Sequence, residues 1–254
     1  MRSYNSTFFL FLKKAKHYFC IALLAGLLLG CSDKTPSSPE VTLNKIMPLG
    51  ASRVQGASPI FESYRYELWK LLVNGGWEFD FIGTRMDNFQ YEIYSSLTFD
   101  NNHEGRSGWT STQILNGISD WLNEAGSPDI VLFSSPGGND IINSTSTYPE
   151  VLANINEIID IIQESNPDVT IIIELLAPGK TFFMTDELTI AFNDIHRDVL
   201  TIAAEQTTAT SLVATVDMYT GFDDSHLADV IHYNEKGALF IATRYYDVLD
   251  DILE

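Results

Sequence analysis

From Lys45 onward, short apolar runs alternate with longer stretches in which apolar residues recur every three or four positions. The runs are KIMPLG (45–50), WEFDFIGTR (77–85), DIVLFSSPG (129–137), VTIIIELLAPG (169–179) and SLVATVDM (211–218). Between and after them lie ESYRYELWKLLVNGG (62–76), STQILNGISDWLNEAG (111–126), YPEVLANINEIIDIIQESNP (148–167), DELTIAFNDIHRDVLTIAAEQ (186–206) and NEKGALFIATRYYDVLDDILE (234–254). Strands alternating with helices predict a parallel sheet covered by helices on both faces. The unbroken cores IVLF and TIIIELL agree, because a strand with one wet face would alternate polar and apolar residues. Several runs end in Gly, Pro or Ser, and open α/β sheets place their sites in the loops at such strand ends. No internal repeat is visible, and the irregular stretch 86–108, rich in Asn, Tyr and Phe, reads as a cleft wall rather than a second domain.

The amino terminus breaks this pattern. Arg2, Lys13, Lys14 and Lys16 precede an apolar run from Phe19 to Leu29, too short to span a bilayer comfortably, so residues 1–30 are expected to be an export signal. Cys31 follows Leu28, Leu29 and Gly30 and resembles the lipidated cysteine of bacterial lipoproteins; ordinary cleavage nearby or an uncleaved anchor are the alternatives. Ser32 after it resembles proteins sorted to an outer membrane, so the expected location is that of an exported outer-membrane lipoprotein of a Gram-negative bacterium. Residues 31–41 are polar and proline-punctuated, as a tether would be, and a single domain is expected over 42–254. The other cysteine, Cys20, lies in the leader, so the mature chain has no disulfide and must rely on its core.

Removing the leader's four basic residues leaves 11 basic against 34 acidic residues, a net charge of −23. Such a surface repels phosphate backbones and anionic headgroups, which argues against nucleic acid and limits membrane contact to the lipid anchor. A neutral or esterified substrate fits better, although acidity also serves solubility alone.

Four separated blocks carry the candidate chemistry: IMPLGASRVQG around Ser52, HEGRSGWT around Gly108, PGGND around Asn139, and ADVIHYNEKG with Asp229 and His232. Ester cleavage at neutral pH needs a nucleophile, a base, a group that orients the base, and donors for the oxyanion. Ser52 would emerge from a tight turn after a strand, its own N–H free for the oxyanion, though a lone Ser between glycines is an ordinary turn residue. Asp229 and His232, three apart before the last helix, would let the carboxylate fix the imidazole's tautomer; alternatively His232 caps that helix and Asp229 is a solvated charge. Asp223 and His226 share the spacing one loop earlier and are the rival pair, with His226 also able to shape the cleft. Asn139 would project an amide that donates without titrating, and Gly108 a backbone N–H at the start of the helix TSTQILNGI; Gly105 is the rival glycine, and Thr110 or Ser111 the candidate helix cap. His17 belongs to the leader and His196 to a helix, while His103 lies near the second block and stays open.

With Ser52, Gly108, Asn139 and His232 in this order, the chain resembles the SGNH hydrolases, the GDSL esterase and lipase superfamily, over roughly residues 44–250. IMPLG, HEGRSGWT and DFIGTR look most like its carbohydrate-esterase branches, which include acetyl xylan esterases. The resemblance implies a three-layer α/β/α sandwich on a flavodoxin-like central parallel sheet of about five strands. It also implies a Ser52–His232–Asp229 triad, an oxyanion hole of Ser52, Gly108 and Asn139, an acyl-serine intermediate, and no metal or organic cofactor. The expected substrate is an acylated carbohydrate or other small ester, most plausibly acetylated; Trp109, Tyr91, Tyr94 and Phe89 are candidate sugar-stacking aromatics, or plain packing. A lysophospholipase or thioesterase is the nearest alternative, followed by a binding protein that no longer catalyses. A metallohydrolase using Asp223, His226, Asp229 and His232 lacks an HExxH pattern. One departure stands out: where the family has an acid before the nucleophile this chain has Ala51, and Arg53 follows where an apolar residue is common. The nucleophile loop must therefore be braced by other groups.

Overall fold

A computed structural model describes residues 44–253. The expected signal (1–30), Cys31 and the tether (31–41) lie outside them. The strands are β1 (Asn44–Gly50), β2 (Phe79–Phe81), β3 (Glu104–Gly105), β4 (Ile130–Phe133), β5 (Thr170–Leu175) and β6 (Val213–Asp217). The helices are α1 (Ser52–Gln55), α2 (Arg65–Gly75), α3 (Ser111–Ala125), α4 (Gly138–Asn143), α5 (Tyr148–Ser165), α6 (Asp186–Gln206) and α7 (Glu235–Asp250).

The sheet runs β2-β1-β4-β5-β6, every pairing parallel, with the two-residue β3 added to the end of β1. Side chains alternate between two apolar clusters. Met47, Leu49, Val131, Phe133, Ile171 and Ile173 join one that includes Ile118, Ile155 and Ile195 from α3, α5 and α6. Ile46, Ile130, Leu132 and Ile172 join the other, with Leu68 and Ile241 from α2 and α7. This is the expected three-layer α/β/α sandwich, and both faces of β4 and β5 are buried, which explains their unbroken apolar runs.

The order reverses at β1: the chain goes first to β2 on one side and then to β4 on the other. The crevice at such a reversal, above the carboxyl ends of the strands, is where this architecture binds ligands. Ser52 follows β1, and Ser134 to Asn139 follow β4, so two of the four blocks open onto that crevice.

Some elements differ from expectation. The run 77–85 yields only the three residues of β2, because the chain leaves the sheet at Ile82 and Gly83 to enter the long loop, where Gly83 packs against the backbone of His103. That loop contains β3 and a few isolated bridges and is otherwise irregular, as the sequence suggests. It is organised by a side chain that sequence reading passed over. Arg65, fully buried, donates to the carbonyls of Val54 and Gln55 in α1, to Asn101 O, and to Asp87 at 2.7 Å. One guanidinium thus ties the helix that carries Ser52 to the long loop.

Candidate active site

Gly50 has a positive φ, and a Cβ there would sit 2.7 Å from Ser134 O, so only glycine lets β1 turn this tightly against β4. The turn lifts Ser52 to the first position of α1, where its backbone N–H has no intrahelical acceptor. Ser52 is 8% exposed.

Asp229 and His232 lie in the loop before α7. One Asp229 oxygen accepts the N–H groups of Ile231 (2.9 Å) and His232 (2.8 Å), and the other lies 2.7 Å from His232 Nδ1. The proton of the neutral ring therefore belongs on Nδ1, which leaves Nε2 to accept from Ser52 Oγ at 2.9 Å. Partial burial alone would raise the Asp229 pKa, but the Ile231 N–H, the His232 contacts and the ring's charge outweigh it and hold the carboxyl below its usual range. Phe61 stacks on the imidazole, centroids 4.0 Å apart and planes 15° from parallel, and Glu62 N donates to Tyr233 O, so the loop after α1 clamps the ring. Nothing in the sequence pattern singled out Phe61.

Asn139 opens α4 beside Ser52, and its amide donates to Trp109 O at 2.8 Å, leaving its second N–H unassigned. The next residue, Asp140, is buried and accepts from Ser111 N (2.7 Å) and Ser111 Oγ (3.1 Å) at the start of α3. Two adjacent residues thus join the third block to the second. Gly108 precedes α3 by three residues instead of standing at its start; it occupies a turn closed by Trp109 N to Arg106 O, with φ 77°. Its N–H has no acceptor among the described residues. Gly105, the rival, is buried against the α1 backbone and spends its N–H on His103 Nδ1.

The rival pair is brought to a different place. Asp223 caps the short turn Asp224–His226, and His226 is buried between Phe222 and Phe240, away from Ser52. His103 is 1% exposed; burial first, then the Arg65 charge, push its pKa down to about 4, while Asp87 is held at about 2 because hydrogen bonding to His103 and the charge of Arg65 overcome the effect of its burial. Both serve the cleft wall. Among the described residues no three His, Cys, Asp or Glu side chains converge as a metal site requires.

Arg53 supplies the brace that Ala51 does not. Its guanidinium, buried beneath the site, donates to Ile231 O (2.9 Å), Ala177 O (2.7 Å) and Pro178 O (3.2 Å) and lies 4.8 Å from the centre of the Tyr233 ring. The residue after the nucleophile thus grips the residue before the imidazole. Beside Ser52 lies a cavity of about 30 Å³ bounded by Ser135, Asn139, Ile142, Leu176, Phe192 and Ile231. That is room for roughly two or three heavy atoms. Of the four candidate stacking aromatics, Tyr91 and Tyr94 are tied by their hydroxyls to Asp87 and Asn74, Trp109 packs on Trp121, and Phe89 is the most exposed.

Residues 85–239, from Gly108 through His232 but not Ser52, match the GDSL-like Lipase/Acylhydrolase family. Among solved structures, the chain is similar to a carbohydrate esterase family 3 protein from Talaromyces cellulolyticus: 27% identity, 82% of this chain and 97% of that one, TM-score 0.70. It is also similar to a Clostridium thermocellum family 3 carbohydrate esterase, at 29% identity over 83% and 98% of the two chains with a TM-score of 0.66. A third is a serine-to-alanine mutant of an acetyl esterase with acetate ion, at 27% identity, 82% and 97% coverage and a TM-score of 0.69. No curated protein matches the sequence.

Proposed function

Because this chain belongs to the GDSL-like lipase/acylhydrolase family and is an ester hydrolase, we propose that it removes acetyl or similarly short acyl groups from a carbohydrate, with Ser52, His232 and Asp229 as its catalytic triad. The observation that carries the reading is the continuous contact from Ser52 Oγ through His232 to Asp229, 2.9 and 2.7 Å, assembled from residues 180 positions apart. His232 Nε2 takes the Ser52 proton as Oγ attacks the ester carbonyl, and Asp229 stabilises the imidazolium. The N–H groups of Ser52 and Gly108 and the Asn139 amide receive the oxyanion. The sugar alcohol leaves with the proton from His232; water, deprotonated by the same nitrogen, then releases the acid from the acyl-serine.

One observation favours a short acyl group: the small cavity beside Ser52, lined by the buried Phe192 and Leu176. A lysophospholipase or long-chain thioesterase would need an open trough there. Carbohydrate as the alcohol is supported by the carbohydrate esterases among the similar structures. The test is hydrolysis of p-nitrophenyl acetate and release of acetate from acetylated glycans, beside Ser52→Ala. Loss of both activities in the mutant is expected; a mutant as active as the parent refutes the nucleophile, and activity confined to long acyl esters refutes the acetyl reading. Labelling by a fluorophosphonate separates an enzyme from a binding protein.

Export and lipid anchoring at Cys31 are part of the same proposal, supported by the leader and the acidic mature chain. No helix among the described residues is long and apolar enough to cross a membrane. Incorporation of labelled palmitate, lost in Cys31→Ala, is the expected result.

A further inference from the structure

Glu174 is a carboxylate in the wrong place for packing. It lies near the end of β5, fully buried, on the sheet face whose neighbouring residues, among them Ile172 and Ile241, form the apolar cluster under α2 and α7. A leucine there would fill the space without removing a charge from water. The carboxylate is instead surrounded by donors: Ser134 Oγ (2.9 Å), Ser135 N (2.7 Å) and Ser135 Oγ (3.3 Å) on one oxygen, and Tyr245 OH (2.8 Å) on the other. Burial pushes its pKa up, and the Tyr245, Ser135 and Ser134 bonds and the Arg53 charge oppose that rise.

Three of the four donors belong to one turn, and that turn is strained. Ser135 has φ 50°, a left-handed conformation that a side chain normally avoids and that persists only when its surroundings impose it. From Ser135 the chain goes directly into the oxyanion side of the site: Gly138 N donates to Ser135 O at 3.1 Å, and Ser135, Gly138 and Asn139 border the cavity beside Ser52.

We propose that Glu174 is a positioning residue for the oxyanion hole: by holding the Ser134–Ser135 turn in its left-handed form, it sets where the Asn139 amide stands relative to Ser52. It touches no substrate and transfers no proton. With Arg53, which joins the Ser52 turn to the His232 loop, it completes a buried frame beneath the site, one polar side chain for each half. This inference rests on the catalytic reading above.

The test is Glu174→Gln, which keeps the shape but replaces one acceptor oxygen by an NH2 donor, assayed with p-nitrophenyl acetate well below the melting temperature of parent and variant. A misplaced oxyanion donor should lower kcat by about tenfold or more, leaving KM within about twofold. The pH profile of kcat should keep its shape, because the Asp229–His232 half is untouched. Parent-like kcat in folded Glu174→Gln, or a rise in KM alone, overturns the proposal. Ser134→Ala gives a milder second reading, removing one donor while keeping the backbone. A kcat lowered about threefold at constant KM supports the proposal, and an unchanged kcat overturns it even if Glu174→Gln fails to fold. Ser52→Ala separates the two readings: parent-like activity there removes the triad itself, whereas an inactive Ser52→Ala beside a parent-like Glu174→Gln removes only the role of Glu174.

Discussion

As the pH falls below 6.5, His103 should cost this protein stability. The ring is buried in the cleft wall, with Nδ1 accepting from Gly105 N, Nε2 3.3 Å from Asp87, and the Arg65 and Arg85 charges nearby. Its pKa falls from 6.5 to about 4 on folding. Between those values the unfolded chain binds a proton that the folded chain refuses, so stability falls as pH drops through this window. A difference of 2.5 units corresponds to about 3.4 kcal/mol in full, of which roughly 2 kcal/mol is lost between pH 7 and pH 4.5. Asp87, held at about 2, stays ionised throughout and adds its own loss only below pH 4. His196 is lowered in the same direction by its burial, while burial raises Asp100 and Glu174 and gives them the opposite sign, so the parent's slope contains all four and the difference from the variant isolates His103. The assay is urea unfolding at pH 7.0, 5.5 and 4.5 for the parent and His103→Gln, whose amide can still accept from Gly105 and donate to Asp87. The variant should lose about 2 kcal/mol less across that range. Equal slopes for both proteins would refute the assignment of the pH dependence to His103.

Asp229→Asn should lower kcat less than in a deeply buried triad. The carboxylate is half exposed, and at about 4 Å its attraction for an imidazolium lies between roughly 1 and 4 kcal/mol, a loss of about fivefold to nearly a thousandfold by steady-state assay. Arg53→Met leaves three backbone carbonyls without their buried donor; unfolding curves should show a loss on the order of 3 kcal/mol, and kcat should fall with it. Arg53→Lys should not restore it, since one ammonium cannot reproduce the fork. Phe192→Ala should extend activity from acetate to butyrate esters of p-nitrophenol, at a cost of about 3–5 kcal/mol in stability; an unchanged chain-length profile would mean that Phe192 does not limit the acyl group.

The layers of this fold were legible because burial writes them into the sequence. IVLF and TIIIEL have both faces covered, and the helices α3, α5, α6 and α7 bury the apolar residues that their spacing marks. The short helices α1 and α4 were not, since four and six residues carry no period. The residues now found at one point, Ser52, Asn139, Asp229 and His232, were legible as separate turns, and their order carried the resemblance. What escaped was everything that holds those turns. Arg65 and Glu174 sit inside stretches that read as ordinary helix and strand, and Phe61 in one that reads as loop, because their partners, Asp87, Tyr245 and His232, lie far away in the chain. Arg53 was visible only as an oddity. His226 and His232 were separable by place in the chain, but the reason is packing: one ring is sandwiched between Phe222 and Phe240, the other faces a hydroxyl.

The distance along the chain between Ser52 and His232 has a consequence for how the protein is made. Ser52 is synthesised early, just after β1, while His232 arrives 180 residues later, just ahead of the last helix. A nascent or truncated chain lacking that final segment has a serine with nothing to take its proton. On the proposed mechanism, the serine would gain its base only once the segment ahead of the carboxyl-terminal helix has folded against α1.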